Sequence, residues 1–210
     1  MHSVIVANGE LIATPRLTEL WRTADLRIAA DGGAVNARRH LTLAPHVVIG
    51  DFDSLDDATR TWCASAEFIQ HPRDKDETDL ELALELARTR GATTITILGA
   101  AGGRFDQAFA NVMLLAKLAS AHIAAKIAGA NFEAWVVWAR TEIAGQSGDT
   151  VSLIPLTERV EPVTTSGLAY PLRGETLYLG YARGVSNRLV ETNATVAFAN
   201  GLLLIVHLHD

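Results

Sequence analysis

Five times in the first 130 residues a short β-rich run ends and a turn or helical pattern takes over. The runs are "SVIVANG", "LRIAADGG", "PHVVIGDFDSL", "EFIQHP" and "TTITILGAAGG". Their cores are almost wholly apolar, as strands buried on both faces must be. Strands of this kind alternating with helices predict a parallel sheet covered by helices on both sides. The helix predicted over 79–90 has a start and a stop. Thr78 stands three residues before Glu81, a capping box, and Gly91 follows Arg88 and Arg90, which suit a helix C-terminus. Residues 34–40 and the stretch after Gly103 read as further helices, the latter with Ala108, Val112, Leu115, Ala116 and Ala119 on one face.

The texture changes near residue 128. "AGANFEAWVVWA" begins a series of short runs broken by turn residues; "GDTVSLIPL", "ETLYLGYA" and "TVAFANGLLLIVHL" read as antiparallel strands, and Asn200-Gly201 reads as a hairpin turn. The expected fold class is therefore α/β plus all-β. A doubly wound, Rossmann-like domain over 1–128 precedes an antiparallel β-sandwich over 129–210.

The acids are not scattered. Asp31 follows the second run, Asp51 and Asp53 the third, Asp74, Asp76 and Asp79 the fourth, and Asp106 the fifth. The carboxyl ends of parallel strands share one sheet edge, where ligands bind, so these residues should converge. Each has a plainer reading alone. Asp79 complements a helix dipole, Asp31 forms a turn, and Asp53-Ser54 caps a helix. Their conjunction at four strand ends is what points to a site. Convergent carboxylates need a cation, and hard oxygen donors favour Mg²⁺ or Mn²⁺, which usually arrives with phosphates. Gly32-Gly33 and the loop 99–103 let backbone N–H groups approach a phosphate, with Lys75 and Arg104 as the available cations. This is the sketch of a metal–nucleotide site.

Several classes are excluded or disfavoured. A formal charge of −6 argues against a nucleic-acid partner. No apolar stretch is long enough for a membrane span, and the N-terminal run is too short for a signal peptide. The single cysteine, Cys63, allows no intramolecular disulfide and reads as a small buried residue, compatible with a cytoplasmic protein. There is no GxxxxGK[ST], no GxGxxG and no zinc-type Cys/His spacing. His207 and His209 alternate in the terminal strand and read as exposed residues rather than ligands. Trp135 and Trp138 read as core or interface of the second domain.

The ordered set "ADGG", "IGDFDSL", "KDETDLELAL" and "LGAAGGRFDQAFANVMLL" resembles the thiamine pyrophosphokinase family. "VSLIPL", "TTSGLAYPL", "ETLYLGYARGVSN" and "GLLLIV" extend the resemblance over nearly the whole chain. It implies a homodimer with active sites between subunits. It implies transfer of pyrophosphate from ATP to the hydroxyl of thiamine, with Mg²⁺, releasing AMP. Carried onto this sequence, it makes Asp31, Asp51, Asp53 and Asp79 catalytic, with Asp51, Asp53 and Asp79 on the metal. Gly32, Gly33, Lys75, Thr78, Gly103, Arg104, Ser186 and Asn187 would meet the nucleotide. Asp106, Gln107, Ser166, Gly167 and Tyr170 would meet thiamine. Gln107 stands where many members carry His. Two other functions fit the same acids: a metal-dependent phosphohydrolase, and a non-catalytic thiamine or nucleotide sensor.

Overall fold

The computed structural model describes residues 1–209, which divide into two compact units. The first comprises Met1–Leu114 and Ile123–Ala130, the second Leu115–His122 and the chain from Asn131 onward.

In the first unit, β1 (His2–Val6), β2 (Leu26–Ala30), β3 (Val47–Gly50), β4 (Glu67–Gln70), β5 (Thr94–Leu98) and β6 (Ala124–Ala128) run parallel, in the order β6-β5-β1-β2-β3-β4. Between them in the chain lie α1 (Pro15–Arg22), α2 (Gly33–His40), α3 (Asp57–Trp62), α4 (Asp79–Thr89) and α5 (Phe105–Ser120), whose residues from Leu115 onward belong to the second unit. The chain steps outward from β1 to β4, then returns through α4 to the far side of β1. Right-handed crossovers therefore put α4 on the sheet face opposite α1, α2 and α3. The packing agrees. Val4, Val6 and Leu98 join Leu17 and Trp21 of α1 and Ala37 of α2, while Ala29 and Val48 join Ala34, Phe52 and Cys63. Leu80, Ala83, Leu84 and Ala87 are the buried stripe of α4, which packs on β1, β2 and β3. At β1 the strand order reverses. The ends of β1 and β5 thus form a switch point, where a doubly wound sheet opens a crevice.

The start of α4 follows the sequence reading. Thr78 Oγ1 accepts a hydrogen bond from Glu81 N at 3.2 Å, and Gly91 adopts φ +85° just after the Arg90 cap.

The second unit holds two antiparallel sheets. One is β12 (Asn187–Arg188), β9 (Thr150–Pro155), β14 (Leu203–Leu208) and β7 (Phe132–Val137), in that order. The other is β11 (Arg173–Tyr178), β10 (Arg159–Ser166), β13 (Asn193–Ala197) and β8 (Thr141–Ala144). Val151, Leu153, Leu203 and Ile205 of the first sheet share a core with Ile143, Val160, Val163, Leu177 and Val196 of the second. This is the expected sandwich, and Trp135 packs against its core. Trp138 meets the His122 ring edge-on at 5.2 Å. Among the described residues no helix is long and apolar enough to cross a membrane.

Two expectations are corrected. Asn200-Gly201 does not close a hairpin, because β13 and β14 belong to different sheets. The turn is a corner: Asn200 bridges to Glu161, and a Cβ on Gly201 would lie 2.6 Å from Arg159 O. A local turn signal says that the chain reverses, not which sheet it then joins. His207 is not exposed. It is 2% accessible, because odd positions of β14 face the core, and its Nε2 lies 2.8 Å from Asp149 Oδ2.

Candidate active site at the switch point

The loops that follow β1, β2 and β5 and the start of α4 enclose a cavity of about 180 Å³ at the switch point. Its lining includes Asn8, Gly9, Asp31, Thr78, Asp79, Gly99, Gly102, Gln107 and Asn111. Of the residues predicted from sequence, Asp31, Thr78, Asp79 and Gln107 therefore face it directly.

The acids converge. One carboxylate oxygen each of Asp31, Asp51 and Asp53 lies within 4.8 Å of the other two. Asp31 is buried, Asp51 half-buried and Asp53 exposed. Local geometry holds them there. Asp31 N donates to Ile49 O at 2.8 Å, tying the end of β2 to β3, and Asp51 Oδ1 accepts from Asp53 N at 3.1 Å. Gly50 lies between Asp31 and Asp79. With φ +149°, a Cβ there would come within 2.9 Å of Asp31 Cβ and 3.2 Å of Asp79 Oδ1. Only glycine lets β3 deliver Asp51 so close to its neighbours.

The charges are incompletely answered. Asp31 Oδ1 is buried without a hydrogen-bond donor. Lys75 Nζ sits 3.1 Å from Asp79 Oδ1 and forms an ion pair with it. Burial holds the Asp79 carboxyl above the usual range, with Asp31 and Asp51 adding to the effect and Lys75 opposing it. A buried, undonated oxygen of Asp31 beside the carboxylates of Asp51 and Asp53 fits a hard divalent cation.

The phosphate-type loops are pinned from behind by two asparagines to which the motif reading gave no role. Asn36 Nδ2 donates to both Ala7 O (2.9 Å) and Gly9 O (2.8 Å), and Asn111 Nδ2 to Ala100 O (2.8 Å). Asn8 and Gly9 line the cavity themselves. The one sequence hint was the Asn-Gly that ends the first apolar run, the counterpart of the glycines after β2 and β5. Gly33 has no room for a side chain, since a Cβ would lie 2.0 Å from Val6 O.

The other predicted residues lie elsewhere. Arg104 and Asp106 pair with each other at 2.6 Å on the surface, which holds the Asp106 carboxyl below its ordinary range. Gly103 takes φ +67° in the loop before them. In the second unit, Tyr170 and Asn187 come together. The buried Asn187 amide accepts from Tyr170 N (3.0 Å) and donates to Tyr170 O (2.8 Å), so it fixes the turn that presents the exposed Tyr170 ring. Ser166 Oγ lies 2.7 Å from Thr195 Oγ1. Val190 N donates to Gly167 O, and Ser186 N to Ser152 Oγ.

An open parallel sheet with acids and glycine loops gathered at its switch point is the layout of an α/β phosphate-handling enzyme. The comparisons with known proteins narrow this. The model of the thiamin pyrophosphokinase catalytic domain matches residues 17–127, and that of its vitamin B1 binding domain matches residues 140–203. The thiamine pyrophosphokinase of Bacillus subtilis (strain 168) is 30% identical over 210 residues, covering 98% of each chain. The crystal structure of the Bacillus subtilis enzyme superposes with a TM-score of 0.88 at 28% identity, covering 100% of both chains. That from Geobacillus thermodenitrificans gives 0.83 at 26% identity, covering 100% of this chain and 98% of the other. The chain belongs to the thiamine pyrophosphokinase family.

Proposed function

We infer that the protein catalyses its family's reaction, moving pyrophosphate from ATP to the hydroxyl of thiamine to give thiamine pyrophosphate and AMP. The observation that carries the site assignment is the carboxylate cluster: Asp31, Asp51 and Asp53 within 4.8 Å of one another, beside Asp79. The buried Asp31 Oδ1 has no hydrogen-bond donor, and Asp79 Oδ1 has the Lys75 ammonium 3.1 Å away as its partner. Such a set fits Mg²⁺ held by Asp51, Asp53 and Asp79 with Asp31 in support. Bound there, the ion supplies neutralisation of charge on the phosphates, the larger part of phosphoryl-transfer catalysis along with positioning.

The chain's own residues do the rest. The loops ending β1 and β5, held by Asn36 and Asn111, offer backbone N–H groups to the triphosphate together with Gly32 and Gly33. Thr78 and Gln107 bound the cavity. Lys75 pairs with Asp79 at 3.1 Å and is the cation at hand for a bound phosphate. Arg104, Gly103, Ser186 and Asn187 remain nucleotide candidates. Asp106, Ser166, Gly167 and Tyr170 remain thiamine candidates, where a carboxylate or an aromatic face suits the fixed positive charge of the thiazolium. The active unit is a homodimer. Phe105, Phe109 and Met113 recur at helical spacing on the open surface of α5, which supports an apolar contact there. The cytoplasm, one of the compartments that supply ATP, is the location this reading assigns.

Incubation of the purified protein with ATP, Mg²⁺ and thiamine should yield AMP and thiamine pyrophosphate in equal amounts. Phosphate release that ignores thiamine would instead support a phosphohydrolase. Asp51→Asn should lower turnover at least about 100-fold while leaving the thermal melt almost unchanged. Near-normal turnover in that variant at ordinary Mg²⁺ would remove Asp51 from the metal cluster.

A further inference from the structure

One cluster outside the switch point has the donors of a cation site. It lies at one end of the sandwich core. β14 pairs antiparallel with β9, with His207 opposite Val151 and Leu208 opposite Thr150. One step further places His209 beside Asp149, and His209 N keeps its strand course by donating to Asn131 O at 2.8 Å. Opposed residues share a face, so Asp149, His207 and His209 all project to the side that Val151, Leu153, Leu203 and Ile205 line with apolar groups.

The three side chains meet there. Asp149 Oδ2 is 2.8 Å from His207 Nε2 and 4.0 Å from His209 Nδ1. The two rings are 4.4 Å apart at 67°. One donor atom from each residue lies within 4.8 Å of the other two. Gln146 N donates to the same Asp149 oxygen at 2.9 Å and fixes it in place. The turn at Gly145 closes over the group: a Cβ there would lie 2.6 Å from Asp149 Oδ2 and 2.8 Å from His207 Cε1. Asp149 and His207 are 5% and 2% accessible, whereas the His209 side chain is 36% accessible. The group is thus shut on the turn side and open past His209.

We propose that Asp149, His207 and His209 form a binding site for a late first-row divalent cation of the Zn²⁺ type. Two imidazole nitrogens and one carboxylate oxygen are the donor set of such ions, and three protein ligands leave one position for water. Bonds of about 2.1 Å in a tetrahedron set ligand atoms roughly 3.4 Å apart. The separations of 2.8 and 4.0 Å bracket that value, and the third pair lies within 4.8 Å, so the three donors are within reach of one ion. The ion takes the place of the proton between Asp149 and His207, and the neutral His207 ring then carries its proton on Nδ1 and offers Nε2. The chemistry is distinct from the all-carboxylate cluster of the first unit, which prefers Mg²⁺. Bound there, the cation ties the start of β9 to the end of β14.

The test uses the full chain freed of metal with a chelator and titrated with Zn²⁺ in excess Mg²⁺. The wild type should bind one equivalent per chain, and Co²⁺ in its place should develop the visible bands of a low-symmetry nitrogen–oxygen site. His209→Ala, chosen because His209 is the accessible ligand, should lose at least about tenfold in Zn²⁺ affinity, as should Asp149→Asn. Asp51→Asn should bind Zn²⁺ as the wild type does. Zn²⁺ should raise the Tm of the wild type and not that of His209→Ala. The proposal is overturned if the wild type takes up no Zn²⁺ in excess Mg²⁺, if His209→Ala binds as tightly as the wild type, or if Asp51→Asn is the variant that loses the ion.

Discussion

Single residues set the chemistry through the space and charge around them. Gly50 brings Asp31 and Asp79 to one point only because it has no side chain to hold them apart. Asp79 then bears the electrostatic strain, its carboxyl raised first by burial. Cys63 shows burial acting on a different group. It is 1% accessible, and loss of solvent pushes its thiol up to about 11 despite Arg38 nearby. The thiolate is the reactive form. The native protein should therefore leave an aromatic disulfide reagent unreduced at pH 8, and release one equivalent of chromophore per chain once unfolded in guanidinium. Prompt reaction in the native state would place Cys63 at the surface.

At the scale of elements, caps and packing stripes account for where helices start and which face they bury. α1 begins at Thr14, whose side chain accepts from Leu17 N at 3.2 Å, with Pro15 preset for the first turn. The helix buries Leu17 and Trp21 in the core, and Trp21 Nε1 donates to Leu43 O at 2.7 Å. Thr14→Ala should cost about 1 kcal/mol and lower the Tm by roughly 2–4 °C in a chain of this size, with turnover unchanged. A thermal melt and a urea titration check it, and an unshifted midpoint would mean that the cap contributes nothing. Helices and strands of this kind were legible because their periodicity and caps are local. The corner at Asn200-Gly201 was not, since the choice between two sheets rests on contacts with Glu161 and Arg159, about 40 residues away in sequence.

For the whole molecule, two histidines that the fold desolvates make stability fall as pH drops below neutral. Burial lowers the pKa of His2, aided by Lys126, and of His46, aided by Arg27, each from an ordinary value of 6.5. The folded state thus favours neutral imidazoles, and the unfolded chain takes up protons first. Their contribution is fully present above 6.5 and is lost as pH falls through that value toward the lower folded one. Carboxylates whose pKa the fold lowers, such as Asp56, lose their contribution only at more acid pH. Melts across this range should show Tm falling as pH drops through 6.5, and His2→Gln should flatten part of the slope. A Tm that holds or rises there would show that the two rings are solvated. What the sequence determined alone is the alternation of buried strands with helices, the acids at the strand ends, the change to an all-β second half, and the ordered motifs of the family. These depend on residue type and short spacing. Tertiary structure decided which acids lie within one ion's reach, that Asn36 and Asn111 hold the loops, and that Asp149 joins His207, 58 residues later in the chain. Those relations come from strand order and register, which couple positions that no local pattern connects.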